Sequence, residues 1–342
     1  MKTSHPRFKQ VLFALCAAAL VFTAQHAAAQ AFPTKNILMV VPYTPGGSAD
    51  LFSRVMAQKL GEAWGRTVVV ENRPGASGMI GTEIVTKAAP DGYTLLGHTS
   101  SYPATASVRA KLPFDPARAI IPVAMIARAP MIIAVHPSVP AKNVKELIAV
   151  AKRTKGGLNY GSSGAGGNNH FAGSLFASAA GIQMTHVPYK GISIAVTAIA
   201  SGEIEVLISS RAALAPQIQA NRVRILAVTS EGPSPLFPGL PPASKDAPGF
   251  SYQLWWGLFA PAGMSAERLS FINATANKII ASDDMQKLIT REAAEPWPLT
   301  TQQLDGLLVR EIERYKKLRL RNMLFARTLQ REEKPPVDAS LS

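Results

Sequence analysis

The sequence predicts an α/β fold of two domains, each with a mostly parallel sheet flanked by helices. Its 342 residues are enough for two such domains, and 47% hydrophobic with 17% charged residues is typical of a globular protein. Short apolar runs repeatedly end in turns of small polar residues, and these turns lead into segments with apolar residues at helical spacing. Two of these strand–turn–helix units have glycine-rich turns, and they are the basis for predicting function.

The first unit begins with the apolar run Ile37–Val41, which predicts a buried strand. Pro42 and Pro45 end this strand, and Gly46-Gly47 permits a turn that side chains would block. Residues 51–60 then carry apolar residues at helical spacing. The stretch therefore predicts a strand, a tight turn and the start of a helix.

Ser48 and Asp50 are candidate caps of that helix. The turn before it leaves backbone N–H groups free at the positive end of a helix, and such a site suits a carboxylate. A plain connection between strand and helix also explains a lone Gly-Gly pair. An anion site therefore needs a partner turn elsewhere in the chain.

The second glycine-rich turn, residues 161–170, follows a short strand at 158–160 and precedes a helix at 171–179. It repeats the design of the first unit and offers backbone N–H groups together with Ser, Asn and His side chains. Two such turns in one chain favour a shared anion site over two plain connections.

The remaining elements follow the same alternation. Further strands are predicted at 67–72, 93–98, 204–208, 224–230 and 254–261, with another strand end at 185–191. Helices are predicted at 80–87, 144–152, 194–200, 283–292 and 301–329, and one more begins after Ser265. Asn143 and Ser265 are the predicted N-caps of the helices that follow them. We interpret 120–135 as an extended connector that crosses into the second domain, 232–249 as an ordered loop, and 331–342 as disordered. Ligands of open α/β sheets bind at the carboxyl ends of strands, so Ser100 and Ser101, after the third strand, join the candidate site.

The N-terminus is predicted to be a signal peptide, residues 1–29. Lys2, Arg7 and Lys9 form a basic segment, and 11–22 is apolar but too short to span a bilayer. Ala27-Ala28-Ala29 is a cleavage signal of the A-x-A type, which predicts cleavage after Ala29. No later stretch is long and apolar enough to span a membrane, so we expect a soluble protein exported to the periplasm.

Cys16 is the only cysteine, and Leu15 before it does not fit the small residue of a lipoprotein signal. Cleavage after Ala29 would remove it, so the mature protein would have no disulfide and no thiol chemistry. Cleavage would also remove three basic and no acidic residues, which lowers the net charge from +14 to +11. The charges are dispersed, so they argue against nucleic-acid binding and fit a general field that attracts anions.

The second turn does not match the known catalytic or nucleotide-binding templates. No Gly-Lys-Ser/Thr follows it, and Asn169 stands where a dinucleotide fingerprint needs its third glycine. Residues 161–165 lack the last glycine of G-x-S-x-G. A serine hydrolase with Ser163 and either His170 or His186 remains an alternative, because the spacing is not specific.

Metal and acid–base sites are also not indicated. The histidines at 98, 136, 170 and 186 are scattered, and no H-E-x-x-H is present. Asp50 could act as an acid or a base, but a helix-cap role explains it more simply. We therefore expect no metal, no cofactor and no catalysis.

The sequence resembles the Bug family, the substrate-binding proteins of tripartite tricarboxylate transporters. The resemblance covers nearly the whole mature chain in order, and its motifs are residues 41–50, 70–78, 90–95, 160–164, 187–191, 226–230, 237–241 and 256–263. It implies a periplasmic binding protein of type II with two domains that close on a small carboxylate. It also implies a monomer that delivers the ligand to the membrane permease subunits of the transporter.

In the family, two facing loops hold the ligand carboxylates mainly through backbone amides, hydroxyls and ordered waters. Mapped onto this chain, the resemblance and the residue pattern together give the candidate ligand-binding residues Tyr43, Thr44, Gly46, Gly47, Ser48, Asp50, Ser100, Ser101, Ser162, Ser163, Gly164, Gly166, Asn168, Asn169, His170, Lys190 and Ser209. The predicted domains are 30–128 with 253–342, and 129–252, with the ligand cleft between them.

The sequence departs from the family pattern at two places. Ile192, Ser193 and Ile194 follow the Tyr-Lys-Gly turn, where the family usually has small residues. Ser209 and Ser210 stand where the family usually carries an acidic residue facing the cleft. The loss of this negative charge predicts a cleft that accepts a second carboxylate or a neutral group more readily. A partner of a receptor kinase would share the fold, so a sensory role remains an alternative to transport.

Overall fold

The computed structural model describes residues 32–109 and 111–321. The predicted signal peptide, its cleavage site and the tail at 331–342 lie outside these residues. The strands form two sheets: a six-stranded one in the order β11-β4-β10-β3-β1-β2 and a five-stranded one in the order β7-β6-β8-β5-β9. Their bounds are β1 Ile37–Val41, β2 Val68–Asn72, β3 Thr94–Thr99, β4 Ile120–Pro130, β5 Ile132–Val135, β6 Leu158–Ser162, β7 Met184–Pro188, β8 Val206–Ser209, β9 Arg224–Val228, β10 Gln253–Pro261 and β11 Glu295–Pro296.

Both sheets contain parallel and antiparallel pairs, whereas the sequence predicts mostly parallel sheets. In the first sheet β1 pairs in parallel with β2 and β3, whereas β10 runs antiparallel to both β3 and β4. In the second sheet β6 pairs in parallel with β7 and β8, whereas β5 runs antiparallel to β8 and β9. Strand–turn–helix units give parallel neighbours, and the strands that carry the chain between the sheets run the opposite way.

The inner strands such as β1 and β8 are buried on both faces, which explains their continuous apolar runs. In β1, Met39 packs in one core cluster with Phe52 and Leu60, and Val40 points to the other face of the sheet. A helix on each side of the sheet covers these faces, so the alternation of polar and apolar residues expected of a one-sided sheet does not occur.

The helices follow the prediction in most places. They are Ser48–Trp64, Met79–Thr86, Ser101–Val108, Val144–Arg153, Asn168–Ala180, Ile192–Ser201, Arg211–Gln219, Ala266–Ile280, Asp283–Arg291, Thr301–Leu304 and Leu307–Arg321. The caps predicted at Asn143 and Ser265 are correct, since each side chain accepts from a first-turn amide.

Three differences from the prediction concern helices. The helices Ser101–Val108 and Arg211–Gln219 were not predicted. The single helix expected at 301–329 is broken after Leu304, where Gly306 adopts φ +65°. Within the described chain, no helix has both the length and the hydropathy to cross a bilayer.

The chain passes between the sheets through two adjacent crossings. The segment 120–135 is not a plain connector: it forms β4 in the first sheet and β5 in the second, with Met131 between them. Thr229 follows β9, and its amide donates to the Met131 carbonyl at 2.9 Å while its hydroxyl accepts from the Met131 amide at 2.8 Å. Tyr252 precedes β10 and donates its amide to the Thr229 carbonyl at 2.8 Å. These bonds tie the two crossings together.

Candidate functional site

The first corner, residues 43–50, connects β1 to the helix Ser48–Trp64. Gly47 is the N-cap of this helix, with φ −80° and ψ 166°, and it has no side chain to bond the first-turn amides. Gly46 has φ +87°, a conformation that favours glycine. A Cβ atom added to Gly46 or Gly47 would meet nothing within 4 Å, so the corner faces open space.

Asp50 fixes the shape of the first corner. Its side chain is buried, and it accepts from the Gly46 amide at 3.0 Å, from Arg54 Nε at 2.9 Å and from Asn72 Nδ2 at 2.8 Å. Burial alone would raise the pKa of Asp50, but these hydrogen bonds hold it below its ordinary value. The prediction that Ser48 or Asp50 is the N-cap is wrong, because Asp50 lies in the first turn and reaches back to the loop.

The second corner, residues 162–170, has the same backbone design. Gly167 is the N-cap of the helix Asn168–Ala180, with φ −80° and ψ 166°, and again no side chain caps the helix. Gly166 before it has φ +75°. The Gly166 amide donates to His170 Nδ1 at 3.0 Å, as the Gly46 amide donates to Asp50 in the first corner. The repeat seen in the sequence is therefore a repeat of conformation.

A stacked histidine pair supports the second corner. The rings of His170 and His186 lie 3.9 Å apart and nearly parallel, and Ser162 Oγ lies 2.6 Å from His186 Nε2. Burial lowers the pKa of His170 to about 3, with a smaller contribution from His186, and burial lowers the pKa of His186 to about 4. Both imidazoles are neutral at pH 7, so His170 Nδ1 can accept the Gly166 amide hydrogen.

The second corner is hydrogen-bonded to residues between β2 and β4, in the part of the chain that forms the first sheet. Ser77 Oγ donates to the Ala165 carbonyl at 3.0 Å, and Thr105 Oγ1 donates to the Gly166 carbonyl at 3.2 Å. A Cβ atom added to Gly166 would lie 2.5 Å from Ser77 Oγ. Gly166 is therefore needed both for its positive φ and for this close approach.

Asn168 links the second corner to the strand end after β3 and to the crossing before β10. Its Oδ1 accepts from Ser100 Oγ at 3.0 Å and from the Tyr252 hydroxyl at 2.6 Å. Two donors on one amide oxygen hold the side chain in a single orientation, and its NH₂ group then remains as a donor. The structure thus brings together Ser100 and Asn168, which the sequence assigned to one site from opposite sides of the cleft.

Tyr43 joins the first corner to the same strand end. Its hydroxyl lies 2.6 Å from Ser101 Oγ, 2.8 Å from Thr99 Oγ1 and 3.0 Å from His98 Nδ1. Burial raises the pKa of Tyr43 to about 12, and the bonds from Ser101 and Thr99 offset part of the rise. The hydroxyl of Tyr43 therefore positions the corner from inside the protein. Since Ser100 and Ser101 are consecutive, Tyr43 and Asn168 connect the two corners through two hydrogen bonds.

The two corners have the chemistry of an anion site. The first helical hydrogen bonds run from Leu51 N to Gly47 O at 3.0 Å and from Phe171 N to Gly167 O at 3.1 Å. The amides before Leu51 and Phe171 have no intrahelical partner and no capping side chain. They present N–H groups at the positive ends of two helices, which together can hold a carboxylate.

The other predicted site residues lie in varied surroundings. Ser163 is exposed and donates to Asn169 Oδ1 at 3.2 Å, and Asn169 Nδ2 donates to the Ile208 carbonyl at 2.8 Å. Ser209 is buried at the end of β8 beside that carbonyl. Thr44 and Lys190 are exposed, and Ser162 and the Gly164 amide bond each other at 3.0 Å.

This geometry gives no support to the hydrolase alternative or to a metal site. The hydroxyl of Ser163 bonds Asn169, whereas the serine that meets His186 is Ser162. In the described ranges, no three His, Cys, Asp or Glu side chains are grouped so that they could hold a metal ion.

The sequence does not predict several residues that contact the corners, among them Ser77, Thr105, Tyr252 and Glu292. Ser77 lies in one of the family-like motifs, so that motif could have indicated it. Glu292 bonds Ser48 although 244 positions separate them in the sequence. No local pattern reports such a contact.

Comparisons with known proteins agree with this architecture. A family model described as the tripartite tricarboxylate transporter family receptor matches residues 52–322. BugT of Bordetella pertussis is 31% identical over 290 residues, which cover 84% of this chain and 89% of BugT. The solved structure of R. palustris Rpa4515 with adipate is 32% identical, with a TM-score of 0.75 over 85% of this chain and 98% of that one. MatC (Rpa3494) from Rhodopseudomonas palustris with bound malate is 25% identical, with a TM-score of 0.73 over 84% of this chain and 99% of that one. These likenesses confirm the predicted fold class.

Proposed function

This chain belongs to the tripartite tricarboxylate transporter receptor family, and on that premise we propose that it is a periplasmic solute-binding protein that closes on a small carboxylate. The proposal includes a cleft between two domains, 30–128 with 253–342 and 129–252. It also includes a cleaved signal peptide and delivery of the ligand by a monomer to the membrane permease of such a transporter.

One observation carries the proposal: two helices with glycine N-caps lack a capping side chain, and the Tyr43–Ser101 and Ser100–Asn168 hydrogen bonds connect their two corners. The helices Val144–Arg153 and Ala266–Ile280, in contrast, are capped by Asn143 and Ser265. A side-chain cap adds about 1 kcal/mol of stability. Two uncapped helix starts that face each other are explained if a ligand anion supplies the missing acceptor.

The cleft also has the neutral hydroxyls and amides that suit such a ligand. Ser100 and Ser101 are buried between the two corners, where Ser101 bonds Tyr43 of the first corner and Ser100 bonds Asn168 of the second. Asn168 also accepts from Tyr252. Oriented dipoles in a closed, water-poor cleft bind an anion without a salt bridge. The solved relatives with adipate and malate support a carboxylate as the ligand class.

Closure couples ligand capture to release. The bonds of Ser77, Thr105 and Ser100 to the second corner join the two sides of the cleft. A ligand that bonds both corners favours this closed arrangement, because it gains contacts there that an open cleft lacks. A permease that binds the closed form would then receive only loaded protein.

A thermal-shift screen with the purified protein tests the ligand class. The panel contains acetate, succinate, adipate, malate and citrate, together with succinamide as a neutral match for succinate. A carboxylate present at one hundred times its Kd should stabilise the protein by about 2.7 kcal/mol, which raises the Tm by roughly 4 °C for a chain of this length. Succinamide should leave the Tm unchanged. The proposal fails if no carboxylate raises the Tm, or if succinamide raises it as much as succinate does.

A further inference from the structure

We propose that Glu292 and Ser48 select carboxylates that also carry a hydrogen-bond donor, a hydroxyl or an ammonium group, on the neighbouring carbon. This inference rests on the proposed function, since it concerns which carboxylates the cleft prefers. It starts from a contact at the first corner. Ser48 Oγ donates to Glu292 Oε2 at 2.5 Å.

This bond changes what Ser48 can offer a ligand. A serine hydroxyl has one hydrogen and two lone pairs, and the hydrogen of Ser48 is engaged by Glu292. Ser48 is half-buried at the start of the helix Ser48–Trp64, next to the N-cap Gly47. With its hydrogen engaged, the Ser48 oxygen can only accept, so this hydroxyl does not donate to a ligand carboxylate.

Glu292 itself adds acceptor capacity at the same place. It is 8% exposed, and an ionised carboxylate can accept about four hydrogen bonds. Its other oxygen, Oε1, lies 3.8 Å from Arg291 Nε, which is beyond hydrogen-bond distance, and the Arg291 side chain is exposed. Within the described residues, Ser48 is the hydrogen-bond donor that the structure gives to this carboxylate.

The two corners consequently differ in polarity. The first corner holds Asp50 in its first helical turn and Glu292 beside Ser48, and Asp50 already accepts the Gly46 amide. The helix of the second corner has no acidic residue in its first turn, and His170 is neutral there. Arg54 pairs with Asp50 at 2.9 Å and Arg291 lies 3.8 Å from Glu292, so these charges are partly offset. The first corner nevertheless has carboxylate oxygens that can accept from a ligand donor, whereas the first turn of the second helix has none. A ligand with both groups on neighbouring carbons would therefore use the acceptors of the first corner as well as the helix amides.

Calorimetric titration with succinate, malate and aspartate tests the preference directly. The three share one four-carbon diacid skeleton and carry hydrogen, hydroxyl or ammonium at the same carbon. The wild-type protein should bind malate and aspartate about tenfold or more tightly than succinate, the effect of roughly one good hydrogen bond. Glu292→Gln keeps the shape and one acceptor oxygen but loses the charge, and the ratio should fall towards one.

Two further variants separate selection from a structural role. Ser48→Ala leaves the Glu292 carboxylate in place and should lower the ratio only in part. Glu313→Gln, at an exposed position of the last helix, should bind all three ligands as the wild type does. If Glu292→Gln weakens succinate and malate equally, Glu292 is structural and the inference is wrong.

The outcomes also distinguish a failure of this inference from a failure of the proposed carboxylate binding. A protein that binds all three diacids equally well contradicts the selection by Glu292 but leaves carboxylate capture intact. A ratio that stays unchanged in both Glu292→Gln and Ser48→Ala contradicts the inference in the same way. A protein that binds none of the carboxylates in either screen contradicts both.

Discussion

Asp50 and His170 occupy equivalent positions in two loops of the same conformation. Asp50 Oδ2 lies 3.0 Å from the Gly46 amide nitrogen, and His170 Nδ1 lies 3.0 Å from the Gly166 amide nitrogen. Each residue sits in the first turn of its helix and reaches back four positions to hold the loop. The loops share a backbone design but are held by groups of different charge, an ionised carboxylate in one and a neutral imidazole in the other.

The carboxylate of Asp50 should contribute substantially to stability. Asp50→Ala leaves the Gly46 amide, Arg54 and Asn72 without their acceptor. We expect the free energy of unfolding to fall by about 2–3 kcal/mol, because hydrogen bonds to a charged group are strong and three donors lose their shared acceptor. Urea denaturation measures this change. Glu62→Ala, on the exposed face of the same helix, should unfold like the wild type. A loss as small as that of the control would contradict the assignment.

Acid should destabilise the protein well above the pH at which carboxylates titrate. Burial lowers the pKa of His98 and His170 to about 3, and that of His186 to about 4, from the ordinary 6.5. The unfolded chain therefore binds three protons near pH 6.5 that the folded protein still excludes. Stability should be complete above pH 6.5 and fall as the pH drops, by up to about 1.4 kcal/mol per pH unit for each histidine.

Urea denaturation between pH 7 and pH 4.5 measures this slope. His186→Gln removes one of the three titrating groups, so its free energy of unfolding should depend less steeply on pH than that of the wild type. Equal slopes for the two proteins would show that His186 is protonated equally in the folded and unfolded states.

The close approach of the two sides of the cleft at Gly166 can be separated from its backbone conformation. Gly166→Ala places an alanine in a backbone conformation with positive φ, which is strained, and it also places a Cβ atom 2.5 Å from Ser77 Oγ. Gly156→Ala introduces only the backbone strain, since Gly156 has φ +86° and no atom lies within 4 Å of the added Cβ. Both variants should lose roughly 1–2 kcal/mol of stability.

Only Gly166→Ala should also hinder closure and so weaken ligand binding, by tenfold or more. Titration of both variants with the carboxylate that gives the largest thermal shift measures this difference. Ser77→Ala in the Gly166→Ala background removes the hydroxyl and should recover part of the affinity. Equal affinities of the two glycine variants would mean that Gly166 has no role in closure.

A serine at position 47 should compete with the ligand for the helix amides. Gly47 has φ −80°, which any residue can adopt, and no atom lies within 4 Å of an added Cβ. In Gly47→Ser the new hydroxyl can accept from the first-turn amides, so the helix gains a cap and the ligand loses donors. Affinity should drop about tenfold, with stability unchanged or a few tenths of a kcal/mol higher.

Gly47→Ala is the matched control, because alanine adds the same Cβ atom without an acceptor. It should bind the carboxylate nearly as the wild type does. If serine and alanine reduce affinity equally, the amides of this helix are not part of the site.

Local patterns predicted the elements in which propensity, spacing and caps agree. Asn143 was predicted as a cap, and its side chain accepts from the Glu146 amide at 2.8 Å. The helix Ser101–Val108 was missed because its small residues are nearly all buried, so no polar face produces a helical pattern. The apolar segment 120–135 was interpreted as a connector, because sequence alone does not reveal that its two halves pair with strands in different sheets.

The sequence by itself determined the two glycine corners and the fold that carries them, because turns, helix starts and apolar runs depend on neighbours along the chain. Only the tertiary structure decided which donors in those corners remain for a ligand. The Gly46 amide bonds Asp50, and the Ser48 hydroxyl bonds Glu292 from 244 positions away. A hydrogen can serve one acceptor well at a time, and which acceptor is nearest is fixed by packing between distant segments.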